Sequence, residues 1–354
     1  MKKENIKLIV VDASSILSTQ YFGNLPPAVA FAKKLEDKEA NYHKILQTSD
    51  GKYINGVFGL VKYIMKLKKD LNFTHIAFAW DITRDTFRRD IYKEYKANRD
   101  ETPLPLKEQF KLAQELLNEM GFYQLMDNKY EADDFLGTLS KKFENEVPVY
   151  ILTKDRDALQ LVSDNTRLWL LQTSNENCNK LFEKYCLDKK LYNIPERCFE
   201  FTPHYVKEEF GVYPEQIVDL KALIGDDGDN IPGVKGCGLK SAIPLINEYE
   251  NIENLYDSIR NLSKSEEKEL KEFWKELGIK RSPLNYLLKT SDTEIVGEQS
   301  AILSKQLGKI KCDIEIDVSL DDFKYEFDKD RCIKAFEKLE FKSLINDYDK
   351  YIKY

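Results

Sequence analysis

Three short apolar runs, each ending in an acid, constrain this chain more than any other feature. Ile6-Lys7-Leu8-Ile9-Val10-Val11 runs into Asp12, Thr74 to Trp80 into Asp81, and Val147 to Leu152 into Thr153-Lys154-Asp155-Arg156-Asp157. A β-branched run without alternation suits a parallel strand covered on both faces. The carboxyl ends of such strands are where α/β folds bind ligands. Asp155 and Asp157 are two apart, so in an extended turn both point the same way. A further acidic group, Glu131, Asp133 and Asp134, sits where Phe135-Leu136-Gly137-Thr138-Leu139 starts a helical pattern. Acids in a helix's first turn are ordinarily accounted for by the helix dipole. This triplet has company, because Asp226 and Asp229 also follow an apolar run. If these ends converge, nine carboxylates share one pocket, and like charges that close do not all stay ionised without cations among them. Hard oxygen ligands with few His or Cys argue for Mg²⁺ or Mn²⁺. The pattern reads as a two-metal phosphodiesterase.

Composition sets the class. At 354 residues the length prior is two domains. Hydrophobic residues at 42% and charged residues at 32% describe a globular chain with material for a large core. The apolar run Ile6 to Val11 is too short for a signal peptide core. No segment approaches the roughly 18 apolar residues that a membrane helix needs, so a cytoplasmic protein with no membrane partner is expected. Six cysteines lie far apart without a Cys-x-x-Cys pair, which suggests neither a disulfide framework nor a zinc site. A net charge of −7 is unusual for a nucleic-acid binder, but the distribution of charge matters more than its sum.

The basic residues are gathered in places. Tyr53 to Lys69 has helical spacing and a basic side of Lys62, Lys66, Lys68 and Lys69, open to a solvated face or a phosphate contact. Residues 84–99 carry Arg84, Arg88, Arg89, Lys93, Lys96 and Arg99, interleaved with Phe87, Tyr92 and Tyr95. Cations for the backbone and aromatic faces for bases are what single-strand binding uses, and an amphipathic surface helix looks similar. Leu106, Phe110, Ala113, Leu117 and Met120 form a helical stripe stopped by Gly121. Residues 21–52 read as a loop with at most one helix, and 172–203 as an inserted or mobile segment. From Pro203 the chain turns to helices and tight turns. Between Leu223 and Ala242, glycines at 233, 236 and 238 permit close backbone approach to a phosphate, and a helix starting near Leu239 points its N–H groups outward. Lys235 and Lys240 flank that turn, favouring a sequence-blind DNA contact. A calcium loop starting at Asp226 is ruled out, because Cys237 stands where its glutamate belongs.

These motifs together resemble the 5′→3′ exonucleases of the flap-endonuclease superfamily, both the 5′-nuclease domain of bacterial DNA polymerase I and the stand-alone phage enzymes. The residues that carry the resemblance are Trp80-Asp81, Phe87-Arg88, Tyr95-Lys96-Ala97-Asn98-Arg99, Tyr130-Glu131-Ala132-Asp133-Asp134, Leu152 to Asp157, and Gly225-Asp226 through Gly238. The resemblance implies an α/β fold: a PIN-like core over residues 1–202, with a mainly parallel sheet flanked by helices and a helical arch at about 82–105. It further implies a helix-three-turn-helix DNA-binding domain over 203–325 and a C-terminal segment, 326–354, packing back on the body. Asp12, Asp81, Glu131, Asp133 and Asp134 would serve one metal ion, and Asp155, Asp157, Asp226 and Asp229 the second. Lys96, with Arg88 and Arg99, would bind the scissile phosphate. Lys235, Lys240, Gly233, Gly236, Gly238 and Tyr95 would contact DNA, with a K⁺ ion on the turn's carbonyls. The implied partner is DNA with a 5′ flap or 5′ end, including an RNA–DNA primer, bound by a monomer in replication and repair.

Some positions depart from the family's pattern. Ala13 stands where the family usually has Gly, and segments 21–52 and 172–203 are longer than in the polymerase-linked domains, which leaves substrate preference open. No polymerase segment follows, so a free-standing nuclease is expected. Every carboxylate of the pattern is present, so an active enzyme is expected. Two rivals stay open. A PIN-type ribonuclease would share Asp12, Glu131 and Asp155 but has no need of residues 223–242. A non-catalytic DNA-binding module would not keep nine costly carboxylates together.

Overall fold

The computed structural model describes residues 6–352, so the lysines of Met1 to Asn5 lie outside it. Six strands form one sheet: β1 (Leu8–Asp12), β2 (His75–Ala79), β3 (Tyr123–Leu125), β4 (Val149–Thr153), β5 (Thr166–Leu171) and β6 (Cys198–Phe201). Their order is β3-β2-β1-β4-β5-β6, and only β6 is antiparallel to its neighbour. The chain builds outward from β1 in one direction, then returns to β4 and builds in the other. The gap between the ends of β1 and β4 is therefore the topological switch point, where ligands of open α/β sheets bind.

Burial explains the unbroken apolar runs. All five residues of β1 are buried, because successive side chains enter two different cores. Leu8 and Val10 join Phe135, Leu136 and Leu139 of the Ala132–Phe143 helix. Ile9 and Val11 join the helices Ala13–Gly23, Asn55–Leu71 and Leu104–Met120. The helices from Val206 to Ala301 extend the first core, whereas Phe336, Phe341 and Tyr348 of the C-terminal segment fill the second. Trp80 is fully buried in that second core, and truncating such a side chain to Ala costs about 3–5 kcal/mol.

The Asn55–Leu71 helix has no N-cap side chain of its own. Gln109 of a neighbouring helix supplies the cap: Gly56 N and Val57 N donate to its Oε1 at 2.7 and 3.1 Å. Residues 172–203, expected to be an inserted or mobile segment, carry regular structure. Asn175–Lys184 is a helix capped by Ser174 that buries Cys178 and Phe182, and β6 pairs with β5. Both elements are too short for their periodicity to stand out. Residues 21–52 are likewise more ordered than a loop, with helical turns at Pro27–Ala30, Leu35–Glu39 and Tyr42–Lys44. Within 82–105 a short helix spans Phe87–Ile91, turns follow it, and the Leu104–Met120 helix begins at the end of the range.

Candidate metal centre and nucleic-acid interface

The carboxylates meet at the switch point because four elements end or begin there. Asp12 closes β1 and caps the next helix, its Oδ1 accepting Ser15 N at 2.9 Å and its Oδ2 the Thr153 hydroxyl at 2.6 Å. Asp81 follows β2, donates its N–H to Ser14 Oγ at 2.8 Å, and accepts Ala132 N on Oδ1 at 2.8 Å. Asp155 follows β4, and its Oδ1 accepts Asp157 N at 2.9 Å. Asp133 lies in the first turn of the Ala132–Phe143 helix.

Electrostatics show how closely these groups crowd. Burial pushes the Asp12 carboxyl up to about 7, and the charges of Asp81 and Asp155 add to the shift. Burial also raises Asp81. Asp133 stands well above its ordinary 3.8, through burial and then the charges of Asp155, Asp12, Asp81 and Asp157. Its Oδ1 is buried and has no hydrogen-bond partner. A buried orphan carboxylate oxygen facing four other acids costs several kcal/mol unless a cation arrives. On the other side, single oxygens of Asp157, Asp226 and Asp229 lie within 4.8 Å of one another, close enough to share one ion. The donor set is all carboxylate, which fits a hard divalent ion.

A lysine that the sequence reading missed sits in this second group. Lys221 is buried, and its ammonium bridges Asp157 and Asp226, 2.8 Å from Asp226 Oδ2. Burial alone would lower its pKa, but the two carboxylates hold it above the usual value. The signal was a single lysine inside the apolar helix Ile217–Ile224, five residues before Asp226. Burial likewise works to raise Asp157, to about 6, and Asp155 adds to it while Lys221 opposes.

The cationic segment presses onto the turn that carries Asp226 and Asp229. Lys96 N donates to Asp229 O at 2.9 Å and Asn230 Nδ2 to Glu94 O at 2.7 Å. Lys96 Nζ lies 2.7 Å from Glu131 Oε2 and 3.8 Å from Asp229 Oδ2, and Arg99 pairs with the same aspartate. Burial works against ionisation of Asp229, yet Lys96, Arg99 and Lys221 hold its carboxyl below the usual value. Lys96 and Arg99 thus bring two cations against the acidic residues, Arg99 the more exposed of the two.

Four sequence expectations change here. Arg88 and Asp134, assigned to the phosphate and a metal, are 2% and 0% exposed and are spent on each other. Arg88 donates to both Asp134 oxygens at 2.8 and 2.7 Å and to Leu307 O and Lys309 O, while Asp134 also accepts Glu131 N and Lys311 N. Tyr95, expected to stack on a base, is 2% exposed, with its hydroxyl on Glu131 and Asp229 and its ring beside Ile231 and Leu307. Gly233, expected to approach a phosphate, approaches its own chain. A Cβ there would lie 2.3 Å from Gly225 N, and Ser304 and Ser300 bind its N–H and carbonyl. Gly236 has φ +79° and lies against the Tyr286 ring, whereas Gly238 is open. Lys235, Gly238 and Lys240 are exposed around the start of the Leu239–Tyr249 helix, as a backbone contact needs.

Residues 7–190 match a family described as the 5′-3′ exonuclease, N-terminal resolvase-like domain, and residues 212–330 its C-terminal SAM fold. A 5′-3′ exonuclease of Bacillus subtilis (strain 168) is 33% identical over 277 residues, 78% of this chain and 82% of that one. DNA polymerase I of the same organism is 32% identical over 344 residues, 97% of this chain but 32% of its own length, so the chain spans about a third of that relative. Among solved structures, the bacteriophage T5 D15 protein co-crystallised with metal ions superposes with a TM-score of 0.54 at 19% identity, covering 98% and 99% of the two chains. The catalytic core of Rad2 in complex with DNA substrate gives 0.57 at 19% identity, covering 99% and 92%. These two likenesses establish the fold. Among the described residues, no helix is long and apolar enough to cross a membrane.

Proposed function

The chain belongs to the 5′-3′ exonuclease family, and from that premise we propose that it is a structure-specific 5′→3′ DNA nuclease. It acts as a monomer on DNA with a 5′ flap or 5′ end, RNA–DNA primers included, during replication and repair at the nucleoid. The observation that carries this reading is the buried, unpartnered Asp133 oxygen among Asp12, Asp81, Asp155 and Asp157, beside the Asp157–Asp226–Asp229 group. Two Mg²⁺ or Mn²⁺ ions fit these two groups.

When bound, such ions supply positive charge to the transferring phosphate and lower the pKa of water. The protein's own part is positional. Asp12, Asp81, Asp155 and Asp226 each keep one oxygen on a backbone N–H, which fixes where the other points. Lys96 and Arg99 place cations against the acids, where charge on the phosphate grows as the bond breaks. Lys235, Lys240 and the open Gly238 hold duplex backbone away from the chemistry. A K⁺ ion on the carbonyls of that turn belongs to the same proposal.

The test is cleavage of a 5′-labelled flap duplex and a matched blunt duplex in Mg²⁺, with EDTA and Asp155→Asn as controls. Metal-dependent release near the flap junction, lost in the variant while DNA binding persists, is the expected result. A variant that cuts at the wild-type rate would sink the metal assignment. Intact binding without cleavage in Mg²⁺ or Mn²⁺ would leave only a binding module.

A further inference from the structure

The basic side of the Asn55–Leu71 helix is not used by the site described above, and the structure divides it. Lys68 turns inward: its ammonium donates to Phe73 O at 2.8 Å, and burial lowers its pKa. Lys62, Lys66 and Lys69 turn instead into a cleft of about 520 Å³ that Arg197 enters from the arm leading into β6. The opposite wall is the end of the Ala13–Gly23 helix, with Gln20 and the Asn24 that follows it.

The cleft depends on a close helix crossing. A Cβ at Gly59 would lie 2.7 Å from Asn24 Nδ2 and 2.9 Å from Gln20 Cβ, so any side chain there would push the two walls apart. Arg197 has a left-handed backbone, φ 59°, and its carbonyl accepts Gln172 N at 2.8 Å, which anchors it at the start of β6. That position faces Leu171, the last residue of β5. Arg197 therefore lies at the same carboxyl edge of the sheet as Asp12 and Asp155.

The charge is unusual for this molecule. Four cations line the cleft against two acids, Asp70 and Glu196, and Glu196 is already paired with Lys66. This occurs in a chain whose net charge is −7. A solvated helix face explains lysines on one helix. It does not explain cations from two separate segments converging on one concave surface beside two side-chain amides.

We propose that this cleft is a second DNA contact, holding the phosphodiester backbone of a duplex arm that extends from the cleavage site. The proposal rests on the nuclease reading above. Amide and ammonium donors without a base-reading element suit sequence-independent phosphate contact.

The test compares wild type with a Lys62→Ala, Lys69→Ala double variant. Both side chains are exposed, so the fold is expected to survive. Kd is measured in EDTA by fluorescence anisotropy, against flap substrates with short and long duplex arms over a range of salt. Two lost phosphate contacts lower the salt slope by about 1.8, which at 0.1 M salt is up to about 60-fold in Kd. That loss is expected for the long arms only. Equal salt slopes in the two proteins, or an equal loss on short and long arms, would overturn the proposal. So would a loss confined to RNA duplex arms. Wild type that neither binds nor cuts any of these substrates would remove the nuclease reading itself.

Discussion

Replacing Arg88 with Met separates two roles for one residue. If Arg88 served the scissile phosphate, its loss would slow cleavage and leave the fold alone. The structure gives it another task. Its guanidinium is buried, holds both oxygens of a fully buried Asp134, and ties the Leu307 and Lys309 carbonyls to the Ala132–Phe143 helix. Removing one partner of a buried pair leaves the other charge uncompensated, at about 3–5 kcal/mol. Against a total stability of about 5–15 kcal/mol, that is about a fifth or more. With a urea m-value of about 3 kcal/mol/M, the unfolding midpoint falls by about 1 to 1.7 M. Far-UV circular dichroism in urea reads this directly. Asp134→Asn should cost a comparable amount, and the double variant much less than the sum of the two. An Arg88→Met protein with an unchanged midpoint and no cleavage would refute the reasoning and return Arg88 to the phosphate.

Lys221→Met should destabilise the metal-free protein by about 1–3 kcal/mol, because two acids lose their partner. It should also enlarge the rise in Tm on adding Mg²⁺, since no ammonium then competes for Asp157 and Asp226; a smaller rise would contradict that competition. Lys96→Ala should lower kcat more than it raises KM, and single-turnover kinetics showing only weaker binding would deny it a part in the chemistry. The folded-state pKa of Asp12 is raised from 3.8 to about 7, so its charged form destabilises the metal-free fold. The penalty, roughly 4 kcal/mol at about 1.4 kcal/mol per unit, is full above about pH 7 and fades as pH falls toward 4. Asp157 has the same sign through about pH 6. In EDTA, Tm should therefore fall as pH rises from about 5 to 8, whereas the gain on adding Mg²⁺ should grow, because protons compete for the same oxygens. Thermal melts across that range check both signs.

The parts of the fold that were legible in the sequence are those whose burial is nearly complete. β1, β2 and β4 are covered on both faces, so their apolar runs are unbroken and their ends are marked by the acids. β3 has three residues and β6 four, too few for any period to register. The convergence of Asp12, Asp81 and Asp155 could be read because parallel strands in one sheet end at one edge. Side-chain pairing could not. Glu131, Asp133 and Asp134 look alike in sequence, but helix geometry aims Asp133 at the acids, Asp134 at Arg88 and Glu131 at Lys96. Lys221 and Lys68 differ from solvated lysines only in what packs around them. Tyr95 looked like a stacking aromatic until the turn at Ile231 closed over it.

The backbone tethers on Asp12, Asp81, Asp155 and Asp226 bear on which ion the pocket admits. A carboxylate with one oxygen accepting an amide N–H is held in one orientation, which favours lending its other oxygen from a fixed direction. Calcium is accommodated by six to eight oxygens with pairs from single carboxylates, whereas magnesium takes fewer protein oxygens in a tight octahedron completed by water. For the divalent ions proposed above, single oxygens lent from fixed directions would suit a small octahedral ion better than a large one. A size preference of that kind would come from the peptide backbone beneath the acids rather than from the acids themselves.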